Sequence, residues 1–538
     1  MVYDKEIKVM AKSKSKKSDN IDYCRGVRVM DVAAYVFSLL VLGIYPLIYD
    51  DQYFNITVTK YHFFMYSVGI YLALALIGYV VEANLKNHYR YESLLVTDIG
   101  KKRFARPEFY AIIFLMANFF AWICADDKKD AFYGLQGRRM GLCTYLVIVV
   151  MFVVLAQRFR PQMIVFLFFA AANAFAYAVA IGQHMEHDFL NLRDRIAEKQ
   201  YTKFISTFGN INMYASFLSI AIPVLLAVFI YCKHWVYRVL SGILLVAAGC
   251  NILISNSDSV FLGIFAGIVV LVILSFLQGK LRYCTFAVFL LFLGNLVLGF
   301  INKYAHTRYD KKRGGLAIAL NRLDIAFVFC GIALFVCVAV CICNWKFGSK
   351  VAAWNKKKIV LIACGVCVAL GMATIIVLVV SGSSLLTFND KWGSYRGYIW
   401  RKIVEVYGDA PFVNKLFGYG NESVRVTLRE ACYNEMVQVT GKVYDNAHNE
   451  LLQYLFTTGI VGLLSYLAFV GSGIDYMYKH AEQDAWICVC LAATVGYFAQ
   501  SIINLNQPIT TPFFFVFMAM GVGTVNYCRR IKELEKRA

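Results

Sequence analysis

Residues 259–277 read SVFLGIFAGIVVLVILSFL, an apolar run without a charged side chain. A bilayer core about 30 Å thick takes roughly 20 helical residues, and only helices or closed barrels satisfy their backbone polar groups there. The run has no period-two alternation, which excludes a barrel strand and leaves a helix. Outward from it the same pattern recurs at 30–50, 62–81, 107–125, 140–157, 160–183, 211–232 and 236–254 on one side. On the other side it recurs at 283–301, 323–343, 358–380, 450–474, 485–503 and 512–527. That makes about fourteen spans, with about 12–14 as the range, because only Gln157-Arg158-Phe159-Arg160 separates two of them.

Composition agrees. Of 538 residues 59% are hydrophobic and only 16% charged, too little charge to cover a soluble surface. The expected fold is an all-α polytopic membrane protein with one large extracytoplasmic loop containing short helices. Its parts are a basic cytoplasmic tail (1–29), transmembrane helices 1–11 (30–382), the large loop (383–449), transmembrane helices 12–14 (450–527) and a second basic cytoplasmic tail (528–538). The first span follows its basic tail without a small-residue cleavage site, so it reads as a span and not as a cleaved signal. Lys and Arg in the two tails and in loops 82–106 and 344–358 put all four on the cytoplasmic side. Loops 126–139 and 302–322 are basic too, although span parity places them outside.

The formal charge of +20 is what anionic headgroups attract and does not indicate a nucleic-acid partner. The sixteen cysteines lie mostly inside spans, as Cys330, Cys337 and Cys341 do, and the large loop holds only Cys432, so no disulfide framework is expected there. Pro107 and Pro161 stand at helix starts, while Pro223 sits within a span and predicts a kink. No internal repeat is visible, unlike many secondary transporters.

The large loop carries the candidate chemistry. Tyr395 to Tyr407 reads as a helix in which Arg396, Trp400, Ile403 and Tyr407 share one stripe and Arg401 faces away. An arginine on an apolar stripe calls for an anion, either a bound substrate or a loop carboxylate. At the far end of the loop, Asp445-Asn446-Ala447-His448-Asn449-Glu450 leads into a span. Asn446 is a candidate N-cap, which would put His448 in the first helical turn, where the helix dipole keeps an imidazole neutral. Such a ring serves either as a general base or as an interfacial cap.

The stretch Asn446-Ala447-His448-Asn449-Glu450-Leu451-Leu452, followed by Gly459-Ile460-Val461-Gly462, resembles the hallmark of the O-antigen ligase and polymerase superfamily. Arg396-x-x-x-Trp400, Gly418-Tyr419-Gly420, Gly209-Asn210-Ile211-Asn212 and the Gly134 to Gly141 segment around Arg138 and Arg139 resemble further elements of that family, over roughly residues 130–510. The resemblance implies a membrane glycosyltransferase that moves glycan from a polyprenyl-pyrophosphate carrier to an acceptor hydroxyl in surface polysaccharide assembly, without a metal or other cofactor. The acceptor would be glycan, lipid or protein, and the bilayer is the other partner. The resemblance makes His448 the base and Arg396 the pyrophosphate ligand. Asn446, Asn449, Trp400, Arg138, Arg139, Asn210, Asn212 and Lys203 are then candidate substrate-binding residues.

One position departs from the family pattern: Asn256-Ser257-Asp258-Ser259 stands where relatives often carry an arginine. An aspartate cannot clamp a pyrophosphate, so either another cation (Arg138, Arg139 or Lys203) substitutes or the substrate contact differs. His184-x-x-His187 has metal-ligand spacing but no evident third ligand, and Asn55-Ile56-Thr57 is a glycosylation sequon. The alternative function is a transporter or flippase of lipid-linked oligosaccharides, against which stands the near absence of charge within the spans. A non-catalytic scaffold is the third reading.

Overall fold

The computed structural model describes residues 31–85, 106–305, 320, 322–352, 355–363, 365–366 and 389–537. The N-terminal basic tail, most of loop 82–106, much of loop 302–322, most of the expected span 358–380 and the first residues of the large loop lie outside them. Within them the chain is helical apart from one ribbon, β1 (Phe204–Ile205) antiparallel to β2 (Gly209–Asn210).

Among the described residues ten helices are long and apolar enough to cross a membrane. They are α2 (Ile56–Leu85), α3 (Pro107–Cys124), α6 (Met163–His184), α7 (Ile211–Tyr231), α8 (Trp235–Ile254), α9 (Ser259–Leu277), α10 (Leu281–Tyr304), α11 (Leu323–Ala352), α15 (Glu450–Lys479) and α17 (Thr511–Arg537). Three shorter apolar helices join them: α1 (Asp31–Leu47), α5 (Leu142–Gln157) and α16 (Ala485–Ser501). Short helices α4 (Lys128–Tyr133), α12 (Trp392–Gly408), α13 (Phe412–Phe417) and α14 (Val424–Thr440) lie in the connections. The chain is a multi-pass, all-α membrane protein.

Helix α7 is the centre: its hydrophobic window is wholly buried, against 17% for α11, whose Val328, Phe335 and Trp345 remain exposed as lipid-facing side chains do. Small residues let the central helices close. Pro223 has no N–H to give to Ser219 O, yet α7 stays helical through it. Its ring packs on Gly267 of α9, where a Cβ would come within 2.6 Å, and Ser219 O faces Gly496 of α16, where a Cβ would come within 2.2 Å. Gly249 of α8 and Gly294 of α10 meet in the same way. Such close approach maximises packing between apolar helices in lipid. Gly496→Val is therefore expected to destabilise the protein by about 1–3 kcal/mol, read as a lower melting temperature in detergent. Gly471→Ala, at a position with open space around it, is the control.

Among the described residues four acidic or basic side chains are buried in the apolar helices, Asp31, Lys60, Glu108 and Glu450, more than the sequence reading allowed for. Lys60 of α2 is fully buried and donates to Tyr45 O (2.8 Å) and Pro46 O (3.2 Å), the carbonyls left open where α1 narrows into a 3₁₀ turn. Glu450 at the start of α15 is buried against Tyr454.

The large connection is anchored by a break in α15. Gly459 adopts φ 66°, ψ −172°, a conformation open to glycine, and the break frees the carbonyls of Phe456 and Thr457. Tyr419 N–H donates to Phe456 O (3.1 Å) and Gly420 N–H to Thr457 O (2.9 Å). The Gly418-Tyr419-Gly420 element is thus an edge docked on a broken helix. A Cβ on Gly418 or Gly459 would overlap backbone atoms at 2.2–2.3 Å.

Candidate active site

The N-terminal ends of α5, α7, α9 and α15 meet the α12–α14 connection at one end of the bundle. Arg396 lies where α12 becomes regular, because Gly393, Ser394 and Tyr395 preceding it all have left-handed backbone, with φ of 57°, 61° and 71°. Ile399 and Ile403 are buried on the inner face, while Arg401 turns outward to Asp390 (2.8 Å) and Glu405 (3.0 Å), as the helical stripe requires. Arg396 is half-buried and makes no hydrogen bond or ion pair with any described residue. Burial lowers its pKa, while Tyr444 and Asp258 act to raise it. Asp258, the position where an arginine was expected, faces the very arginine that the loop supplies.

The turn before α15 differs from the sequence reading. Asn449, not Asn446, is the N-cap: its Oδ1 accepts from Leu452 N–H (3.0 Å). Asn446 instead accepts from His448 N–H (2.7 Å), closing a local turn, and donates to Asp445 (2.6 Å). His448 therefore stands ahead of the cap and outside the first turn, with φ 48°. Two asparagines three residues apart both have cap chemistry. The one whose spacing reaches the N3 amide of the helix beginning at Glu450 takes the role.

Trp400 and Gln453 hold this turn from both sides. Trp400 Nε1–H donates to Ala447 O (2.8 Å), and Ala447 N–H donates to Gln453 Oε1 (3.0 Å). The ring of Tyr444 meets His448 edge-on at 6.1 Å, and its hydroxyl donates to Ser394 O (2.9 Å), tying the turn to the start of α12. His448 Nδ1 is buried without a hydrogen-bond partner among the described residues. Its pKa falls to about 3, first through burial and then through the charges of Arg396 and Arg138, with Asp445 opposing. Desolvation and the charges of Arg396 and Arg138 disfavour the imidazolium here, where the sequence reading invoked a helix dipole.

Arg138 is the second cation. It is 4% exposed, paired with Glu422 (3.1 Å) and within 3.7 Å of Asp445, and its Nη2 is buried without a hydrogen-bond partner. Glu422 is buried too, with φ 65°; burial raises its pKa, Asp445 adds to this, and Arg138 opposes it. A continuous polar path therefore runs from Glu422 through Arg138, Asp445 and Asn446 to the backbone of His448. Glu422 was not singled out in the sequence. It lies 284 residues from Arg138, and no local pattern marks it.

The remaining candidates divide. Asn210 caps α7 by accepting from Asn212 N–H (2.8 Å), and Asn212 Oδ1 accepts from Ser257 Oγ (3.0 Å), which holds the turn that carries Asp258. These two asparagines position the site's floor. Arg139 lies beside Arg138 with its Nε buried and its guanidinium over Tyr61 (5.8 Å). Lys203 is exposed in a 3₁₀ turn, and no described contact ties it to His448. His184 bonds Asn302 (2.6 Å) and His187 bonds Met185 O (2.6 Å). Among the described residues no three His, Cys, Asp or Glu side chains form a metal-ligand group.

Residues 314–467 match the family model described as O-Antigen ligase. The match takes in Arg396, Trp400 and the His448 turn, and leaves Arg138, Asn210, Asn212 and Asp258 outside. A search among curated proteins gave no match.

Proposed function

The chain belongs to the O-antigen ligase and polymerase superfamily, and from that we propose that the His448 end of the bundle transfers glycan from a polyprenyl-pyrophosphate carrier to an acceptor hydroxyl. Glycan transfer of the O-antigen ligase kind is the family's activity; the donor, the residues and the steps are our reading. The observation that carries it is one half-buried imidazole with a buried Nδ1, whose charged form is disfavoured by desolvation and by the charges of Arg396 and Arg138. Among the described residues Arg396 has no ion pair, and Arg138 Nη2 has no hydrogen-bond partner beyond the guanidinium's pairing with Glu422. Guanidinium groups suit phosphate oxygens through paired N–H donors.

In this reading the acceptor oxygen forms a bond to the anomeric carbon as the bond from that carbon to the pyrophosphate breaks. His448 takes the acceptor's proton, and the electron pair leaves with the polyprenyl pyrophosphate, whose charge Arg396 and Arg138 hold. The large connection lies on the extracytoplasmic face, so transfer takes place there, and both termini are cytoplasmic.

A pKa near 3 makes a poor base at neutral pH. Two cations contribute to that value, and an anionic donor bound between them would offset both. The base should therefore be stronger in the donor complex than in the free protein. Since kcat/KM reports groups of the free enzyme and kcat those of the complex, the acid limb of kcat is expected at higher pH than that of kcat/KM. Arg396→Gln removes one cation and should move the kcat/KM limb upward. Coincident limbs that Arg396→Gln leaves in place would remove His448 from the proton transfer.

A further inference from the structure

At the end of the bundle opposite His448 lies a cavity of about 760 Å³. It is formed by the loops that follow α5, α7, α9 and α15, so each helix that starts beside the candidate site ends here, about 30 Å away for α7 at 1.5 Å per residue. The lining includes Lys233, Lys280, Gln278, Glu482 and Asp484 at the polar mouth. Val228, Met163, Val489 and Trp486 form an apolar wall.

The charges in and around it are unequal. Arg160 is neutralised by Asp31 (2.9 Å). Lys233 and Lys280 make no ion pair with any described residue, although Glu482 and Asp484 share the cavity. Lys280 Nζ lies over the Tyr231 ring (4.5 Å), and Arg238 beside them donates to Phe229 O (3.1 Å) and Cys232 O (2.8 Å), which leaves its charge unpaired with a carboxylate. Burial lowers the pKa of Lys280, with the nearby charges of Lys233 and Arg238 adding to this. The half-buried Asp484 caps α16 by accepting from Trp486 N–H (2.8 Å), and desolvation raises its pKa. Its carboxylate is thus engaged by the helix.

We propose that this cavity is a binding site for an anionic phospholipid, with the phosphate between Lys233 and Lys280 and an acyl chain along the Val228, Met163 and Trp486 wall. A free phosphate ion would use the cations and gain nothing from that wall. Tyr35, Trp486 and Tyr527 also line the cavity, and amphipathic rings of this kind are enriched at headgroup level. The site is separate from glycan transfer and does not rest on that reading.

The test uses the full-length protein reconstituted in phosphatidylcholine nanodiscs with and without phosphatidylglycerol, then released and weighed by native mass spectrometry. Wild type should retain phosphatidylglycerol in preference to phosphatidylcholine. Lys233→Gln/Lys280→Gln should lose roughly tenfold or more of that retention, given the usual worth of a lysine at an anionic surface. Lys233→Arg/Lys280→Arg should keep it, which separates loss of charge from loss of fold. Equal retention of the two lipids, or undiminished retention in the glutamine variant, overturns the proposal. So does displacement of the lipid by millimolar inorganic phosphate, which would mark a site for free anions.

Discussion

His448→Ala is expected to lower glycan transfer about 10²- to 10⁴-fold, the usual contribution of a positioned acid–base group, while donor binding stays within a few-fold of wild type. The ring is half-buried beside Tyr444, with the charges of Arg396 and Arg138 acting on it, so its loss removes the proton acceptor without removing the groups that would hold the pyrophosphate. Truncation also relieves an imidazole whose Nδ1 is buried without a partner. The variant should therefore fold at least as well as wild type, and a melting curve run beside the transfer assay checks this. His448→Gln keeps a polar side chain of similar reach without a base, and should be equally slow. Recovery of turnover in the glutamine variant would assign the histidine to hydrogen bonding alone.

Arg138→Met carries the second large effect, first of all on stability. Arg138 and Glu422 are both buried and lie 3.1 Å apart. Removing one partner of such a pair commonly costs about 3–5 kcal/mol because the other is left uncompensated. Glu422 already has a raised pKa, so it can take up a proton when the cation goes, which points to the lower end, about 3 kcal/mol. The double variant Arg138→Met/Glu422→Leu replaces the pair by apolar groups of similar size and should recover most of that loss. It should not recover transfer, because the cation beside His448 remains absent. A melting temperature restored together with full activity would show the pair to be structural only.

Long apolar runs made the membrane fold legible in the sequence, because hydrocarbon accepts few alternatives to an uninterrupted helix. The stripe of Arg396, Trp400 and Ile403 was legible for the same reason: a helical period puts them on one face, and the structure buries Ile403 and sends Arg401 to its carboxylates. The cap was misread between Asn446 and Asn449 since their local chemistry is identical and the outcome turns on where the helix begins. Glu422 could not be read at all. Its importance comes from meeting Arg138 across 284 residues, and its own neighbourhood is an ordinary loop. Lys60 lies just outside the expected span 62–81 and no local pattern marks it. Its place follows from the end of α1, whose Tyr45 and Pro46 carbonyls accept from its ammonium.

Asp258 shows how the two kinds of reading combine. The sequence marked it as a departure from a family pattern, and in the structure its charge acts on Arg396. In the proposed reading Arg138, paired with Glu422 and near Asp445, supplies the second cation.

The most direct test of the account is stoichiometric. Purified protein is given polyprenyl-pyrophosphate-linked glycan and acceptor, and both glycan joined to acceptor and polyprenyl pyrophosphate released are counted. The account predicts equal amounts of the two, both lost in His448→Ala. Movement of the intact carrier across the bilayer, with no polyprenyl pyrophosphate released, would contradict it and make the protein a transporter of the same lipid.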